Sequence, residues 1–85
     1  MSVEFIAEYE RENKTATVFS RNNVYEIDFY ENKQSIGTIS YPDNSIYYVE
    51  DAAYNYVTDV MTKETVEKYK KVSQNTWQTP NRILY

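Results

Sequence analysis

The first half of the chain alternates apolar and polar residues with a period of two. The alternation is clearest at Tyr25, Ile27 and Phe29, which are separated by Glu26 and Asp28. A period of two is typical of a β-strand with one buried face. The pattern therefore predicts that the three apolar residues point into the core and that the two acidic residues form an exposed charged face.

Similar segments precede and follow this one, and short polar stretches separate them. The other predicted strands begin near Val3, Thr15 and Ile36. Because asparagine tolerates the left-handed backbone of a tight turn, Asn22-Asn23 can form a hairpin without glycine. Four strands with loops of a few residues predict an antiparallel meander, since parallel crossovers need a dozen or more residues. The only glycine of the chain, Gly37, is predicted to lie in a β-bulge.

The second half of the chain changes to helical spacing. One apolar stripe predicts a long helix over about residues 45–60, with Asn44 or Ser45 as its N-terminal cap. The stripe consists of Ile46, Val49, Ala53, Tyr56, Val57 and Val60. This helix is predicted to pack across the sheet.

A second, shorter helix is predicted over about residues 63–72. Thr62 is its expected cap, and Val66 and Tyr69 form its expected inner face. The helical pattern ends after Ser73. The fold class predicted by these patterns is α+β, with one domain over residues 1–73 and an irregular C-terminal tail over residues 74–85.

Composition limits the chemistry that the chain can perform. It contains no His, no Cys and one Gly, and its formal net charge is −4. Imidazole, thiolate and glycine-lined phosphate loops commonly carry catalysis and nucleotide binding. We therefore expect a binding protein rather than an enzyme, with no catalytic residues, no cofactor and no metal site. The lack of a signal-peptide pattern or a long apolar run predicts a cytoplasmic location and no membrane partner.

Tyrosines are the most distinctive candidates for a binding surface, since the chain has ten of them. On the predicted long helix, Tyr47 and Tyr54 fall on one side of the apolar stripe and Tyr48 falls beyond its other edge. Tyrosine can flank a core with its hydroxyl in water, and it is also enriched in binding hot spots. Two interpretations stay open. The rings either extend the packing of the helix on the sheet or, together with Trp77, contact a protein partner or a second copy.

Nucleic-acid binding is an alternative function. Basic residues occur in or beside the predicted turns, at Arg11, Lys14, Arg21 and Lys33. Aromatic residues that could stack on bases occur in the predicted strands, at Phe19, Tyr30 and Tyr41. Acidic residues surround both groups and oppose binding to a phosphate backbone.

One segment resembles a known group of proteins. The stretch from Ser45 to Val57, which includes Ser-Ile-Tyr-Tyr-Val-Glu-Asp-Ala-Ala, follows a predicted meander and precedes Met61 to Val66. This arrangement is similar to small uncharacterised proteins of tailed phages, notably those that infect cyanobacteria. The resemblance covers roughly residues 24–70 and transfers no functional residues. It implies a phage-encoded protein that acts in the host cytoplasm.

These observations lead to one main hypothesis and two alternatives. The main hypothesis is a small acidic protein–protein interaction module that modulates a host or viral protein by binding to its surface. The alternatives are a nucleic-acid-binding protein that uses the sheet and its basic turns, and a homo-oligomeric structural or assembly factor.

Overall fold

The computed structural model describes residues 3–70 of the chain. The predicted domain boundary at residue 73 and the predicted tail lie outside the described residues. The elements follow the order β1 (Val3–Arg11), β2 (Lys14–Arg21), β3 (Val24–Glu31), β4 (Gln34–Tyr41), α1 (Ile46–Val57) and α2 (Lys63–Tyr69). The strands form one antiparallel sheet in the order β1-β2-β3-β4. The predicted α+β class and the four-stranded meander are confirmed.

Two-residue turns join all consecutive strands. In the β2–β3 turn, Asn22 and Asn23 have φ angles of 55° and 68°, and in the β3–β4 turn Asn32 and Lys33 have φ angles of 54° and 66°. Two successive positive φ angles are characteristic of type I′ turns, whose twist matches that of the strands. The asparagines therefore take the role that glycine often has, as predicted. Asn32 N–H also donates a hydrogen bond to the Asn13 carbonyl at 2.8 Å, which connects two neighbouring turns.

Both helices pack on the same face of the sheet. Helix α1 contacts β1, β2 and β3, and helix α2 contacts β4. The core between the layers consists of Ala16, Val18, Ile27, Phe29, Ile39, Val49, Ala53, Tyr56, Val57 and Val66. Because successive strand residues point to opposite faces, the strand members of this set define the covered face, and their neighbours define a second face.

Tyr56 lies at the centre of the contact between helix and sheet. Its side chain is fully buried, and its ring meets that of Phe29 edge to face, with centroids 4.9 Å apart. Its hydroxyl donates a hydrogen bond to the main-chain carbonyl of Tyr30 at 2.9 Å. Edge-to-face pairs stabilise a core beyond their buried area, and the hydrogen bond satisfies the only polar atom of the side chain.

Helix α1 begins where it was predicted but ends earlier. The Ser45 hydroxyl accepts a hydrogen bond from Tyr48 N–H at 3.2 Å and so caps the helix. The last helical residue is Val57, since Asp59 adopts a left-handed φ of 70°. Val60 is consequently 71% exposed, and its predicted place in the core is wrong. The reversal at Asp59 turns the chain away from the helix axis before Val60 can reach the apolar stripe.

Helix α2 is also shorter than predicted, because it ends at Tyr69. Thr62 occupies the N-cap position, but its side chain makes no capping hydrogen bond. Val66 is fully buried as expected, whereas Tyr69 is 59% exposed and does not belong to the inner face. With only seven residues, the helix has two turns, and one buried side chain anchors it.

The second face of the sheet carries Glu26 and Asp28, which the alternation predicted to form an exposed charged face. That prediction is wrong for Glu26, which is 4% exposed. The Ser40 hydroxyl donates to its carboxylate at 2.9 Å, and Arg21 Nε lies 3.5 Å from it. Asp28, next but one along β3, accepts a hydrogen bond from Thr38. Cross-strand polar partners thus accommodate both acidic residues on this face.

Gly37 lies at a β-bulge, which confirms its predicted role. Phe29 pairs with Gly37 and Tyr30 with Ser35, so one residue of β4 is left without a direct partner. Gly37 has a φ of 147°, which residues with a side chain rarely adopt. A Cβ atom at this position would lie 2.7 Å from Cδ and 2.8 Å from Cβ of Lys70. The bulge therefore lets the end of α2 approach the edge strand closely.

Gly37→Ala is expected to destabilise the fold by about 1–3 kcal/mol, because it adds backbone strain to a steric conflict with Lys70. Urea unfolding followed by circular dichroism measures the change. Lys70→Gly in the same background removes both close contacts but leaves the strained φ, so it should restore part of the loss. Full restoration would show that the backbone angle contributes nothing, and no restoration would show that the contact contributes nothing.

Ile27→Ala is expected to lower the free energy of unfolding by about 2–4 kcal/mol, since it leaves a cavity beneath α1 in the centre of the sheet. Glu8→Ala on the exposed side of β1 is the matched control and should change stability by only about 0.5 kcal/mol. Chemical denaturation of both variants tests the assignment of the two faces. Equal losses would contradict it.

Candidate protein-interaction surface

Three tyrosine rings of helix α1 lie largely outside the core. The exposed fractions of Tyr47, Tyr48 and Tyr54 are 80%, 56% and 55%. Because Val49, Ala53 and Tyr56 take the positions that face the sheet, the helical spacing turns the other tyrosines outward. The interpretation that these rings simply extend the core is therefore wrong for Tyr47. All three rings are accessible to a partner.

The exposed rings divide between the two flanks of the helix, as the spacing predicts. Tyr54 lies on the β1 side, where it lines a shallow depression with Tyr9 and Arg11. Tyr48 lies on the β4 side, with its ring centroid 6.0 Å from that of Tyr41. Tyr47 projects from the first turn of the helix. The outer side of α1 therefore presents an aromatic surface that continues toward both edges of the sheet.

A groove between α1 and α2 extends this surface on the β4 side. Its volume is about 600 Å³. It is lined by Ile39, Ser40, Tyr41, Tyr48, Asp51, Ala52, Asn55, Met61, Thr65 and Tyr69. Sequence reasoning missed Tyr41 and Tyr69 as members of this site. The sequence pattern predicted Tyr69 on the inner face of α2 and offered Tyr41 only as a ring for base stacking. The packing of α1 and α2 on the sheet brings both into one groove with Tyr48.

The groove combines apolar walls with a few polar groups. Asn55 Nδ2 donates a hydrogen bond to Asp51 Oδ2 at 3.3 Å, one helical turn away. Tyrosine hydroxyls can donate and accept hydrogen bonds while their rings bury apolar area. An apolar centre with a polar rim is the arrangement found at protein–protein interfaces. The groove suits a side chain or a short segment of another protein.

The structure does not bring the four predicted nucleic-acid-binding residues together. Arg11, Lys14 and Lys33 lie at the end of the sheet that holds the β1–β2 and β3–β4 turns, whereas Arg21 lies at the opposite end, beside the β2–β3 turn. A strand of eight residues separates the two ends by roughly 25 Å. One continuous basic patch is therefore absent among these residues.

Acidic side chains also engage two of these four residues. Lys14 forms an ion pair with Asp59, and its Nζ lies 5.2 Å from the centre of the Tyr56 ring. The hydrogen bond and the charge of Lys14 lower the pKa of Asp59. Arg21 lies beside the Glu26 carboxylate and over the Phe19 ring. Lys14 and Arg21 thus have structural partners.

The aromatic residues proposed for base stacking do not share one face. Phe19 and Tyr30 belong to the second face of the sheet, and Phe19 is only 6% exposed. Tyr41 belongs to the face that the helices cover, because it pairs with Tyr25 in the same register as the core residues. A single stacking platform made of these three rings is therefore excluded.

Observations on metal sites and membrane spans can be made for the described residues. Within residues 3–70, no group of three or more acidic side chains is arranged to hold a metal ion. No helix in the same range is long and apolar enough to span a membrane. Trp77, the fourth predicted partner-binding residue, lies outside the described residues.

Comparison of the chain with protein-family models, curated proteins and solved structures finds no significant match. The resemblance to tailed-phage proteins stays a prediction. The candidate site is therefore defined by its own geometry.

Burial raises the pKa of three tyrosines near the candidate surface, Tyr9, Tyr41 and Tyr56, and the shift is large for the last two. Burial raises the pKa of Tyr56 to about 12, and the nearby carboxylates of Glu31 and Asp59 add to the effect. Burial also raises the pKa of Tyr41 to about 12, with a further contribution from Tyr48. Since both hydroxyls hold their protons more tightly in the folded chain, their contribution to stability is complete below the ordinary pKa of 10.

The free energy of unfolding is expected to fall as the pH rises from 10 to 12, because the unfolded chain releases these two protons first. Urea titrations across this range measure the slope. Tyr56→Phe should be less stable than the wild type at neutral pH, since it loses the hydrogen bond to Tyr30, and its alkaline slope should be smaller. Val60→Ser is the control at an exposed residue without an ionisable group and should keep the wild-type slope. An unchanged slope in Tyr56→Phe would contradict the assignment.

Proposed function

We propose that the chain is a small acidic protein–protein interaction module, and that the outer side of α1 with the adjoining groove is its contact surface. One observation carries the proposal. Three tyrosine rings on a single helix are each more than half exposed, although the buried ring of Tyr56 shows that the same helix can place a tyrosine in the core. More than half of each exposed ring is therefore available for contact with a partner.

The chemistry of the exposed tyrosines and the adjoining groove favour a protein partner. Tyrosine supplies a large rigid contact area at little entropic cost, and it is enriched at the centres of binding interfaces. The groove beside Tyr48 adds a concave element that could accept an anchoring side chain. The resemblance to tailed-phage proteins makes a host or viral protein the expected class of partner, modulated when its surface is occupied.

The two alternative functions have weaker support. The predicted basic residues are divided between opposite ends of the sheet, and acidic partners engage Lys14 and Arg21. Nucleic-acid affinity depends mainly on unpaired positive charge, so this arrangement opposes it. Homo-oligomer formation would use the same tyrosine surface as a protein partner would. It is therefore an outcome of the experiment below rather than a separate site.

Tyr47→Ser combined with Tyr54→Ser should weaken association at least about tenfold while changing stability by only about 0.5–1 kcal/mol. The physical reason is that both rings contribute to the contact area with a partner and not to the core. Affinity capture from a bacterial host lysate, with wild-type and variant baits in parallel, identifies proteins whose capture depends on these rings. Titration of each identified protein then gives the affinity ratio.

Control measurements separate binding from folding and from self-association. Val60→Ser changes an exposed apolar residue after α1 and should leave capture unchanged. Thermal melts verify that every bait is folded, and light scattering behind a sizing column gives the oligomeric state. Equal capture by the double variant and the wild type would contradict the proposed surface. A dimer that dissociates in the double variant would establish the homo-oligomeric alternative.

A further inference from the structure

The second face of the sheet is a surface that neither helix covers. Its residues follow from the strand register, because each strand alternates between the two faces. It contains Val3, Phe5, Glu8, Glu10, Thr15, Thr17, Phe19, Arg21, Val24, Glu26, Asp28, Tyr30, Ser35, Thr38 and Ser40. We call this set the open face. The open face has five charged residues, of which four are acidic and one, Arg21, is basic.

Burial across the open face is uneven. Phe5, Phe19 and Glu26 form one row across β1, β2 and β3. Phe5 is 62% exposed, whereas Phe19 and Glu26 are 6% and 4% exposed. The centre of the row therefore has the burial of a covered surface, although both helices lie on the other side of the sheet. Its β1 end leaves a phenylalanine ring available for contact.

The C-terminal segment, residues 71–85, has the complementary chemistry. It contains two basic residues, Lys71 and Arg82, and no acidic residue, whereas all 13 acidic residues of the chain precede it. Residues 3–70 thus carry 13 acidic and seven basic side chains. The segment also contains large apolar residues, including Trp77, Ile83 and Leu84. An acidic surface with an exposed ring at one end suits a basic segment of this kind.

The position of Lys70 and the length of the segment allow residues 71–85 to reach the open face. Its side chain packs beside Gly37 on β4, the edge strand, so the described part of the chain ends beside an edge of the sheet. Fifteen residues span up to roughly 50 Å when extended. The four strands, at about 4.8 Å spacing, are only about 15 Å across. The segment is long enough to cross the whole face from β4 to β1.

We propose that residues 71–85 dock on the open face of the sheet of their own chain, with basic side chains toward the acidic residues and Trp77 toward the exposed aromatic end. The groove between α1 and α2 is the competing location. Asp51 is its only charged lining residue, and the neighbouring α2 carries two acidic and two basic residues, Glu64, Glu67, Lys63 and Lys68, so this side has less net negative charge than the open face. Charge therefore favours the open face. Docking there leaves the tyrosine surface of α1 free for a partner.

Trp77 is the only tryptophan of the chain, so its fluorescence reports on this contact in the full-length protein. In the native wild type, we expect a blue-shifted emission and acrylamide quenching several-fold weaker than in the urea-unfolded chain. Phe5→Ser removes the exposed ring of the open face, and Glu8→Lys with Glu10→Lys reverses its charge at β1. Both variants should raise quenching several-fold toward the unfolded value, while circular dichroism verifies that the sheet is retained.

A charge-matched control distinguishes the open face from the helical side. Asp51→Lys with Glu64→Lys makes the same change of charge beside the groove, and it should leave the quenching of Trp77 unchanged. Three results would overturn the proposal: native quenching equal to that of the unfolded chain, shielding that persists in both open-face variants, or shielding that the control variant abolishes. Shielding that disappears on dilution would assign the contact to a second copy and would also overturn it.

Discussion

The placement of Tyr56 determines how the two layers of this small domain fit together. Its ring fills the space over Phe29, and its hydroxyl satisfies a carbonyl of β3, so one side chain provides apolar contact and orientation at once. Lys14 lies over the same ring and pairs with Asp59, where the chain leaves α1. The end of the helix, the first turn of the sheet and the core are therefore connected through one residue. A domain with so little buried area depends strongly on such a multiple contact.

The short connections impose a second constraint. With two-residue turns, the four strands use nearly all of the first half of the chain, and among residues 3–70 two helices cover the sheet. Both helices follow β4 directly, and they occupy the same face. The other face must then be stabilised by its own side chains, as the hydrogen bonds of Glu26 and Asp28 illustrate, or by further contacts. This asymmetry gives the molecule two chemically different surfaces.

The two surfaces have different proposed roles. The helical side presents exposed aromatic rings beside a groove, which suits recognition of another protein. The open face presents acidic groups around a partly buried aromatic row, which suits a basic segment. Since the two surfaces lie on opposite sides of the sheet, occupation of one does not block the other.

The sequence by itself determined the strands, their turns and the beginning of α1, because these depend on local properties. Alternation at Tyr25, Ile27 and Phe29 and the backbone tolerance of asparagine operate within a few residues. Helix ends and burial were less predictable. The left-handed backbone of Asp59 removed Val60 from the core, and cross-strand partners from β2 and β4 made a buried place for Glu26.

In the candidate surface, too, local sequence determined some features and tertiary packing determined the others. Helical spacing alone placed Tyr47 and Tyr54 on one flank of α1 and Tyr48 on the other, but it could not decide whether these rings were buried. The helical spacing also predicted Tyr56 in the apolar stripe, and its burial confirms this, but only the tertiary structure decided that the other three rings are exposed and that Tyr69 joins Tyr48 at a groove. The physical reason is that the exposure of a ring depends on which distant elements pack beside it, and local sequence does not encode those distances.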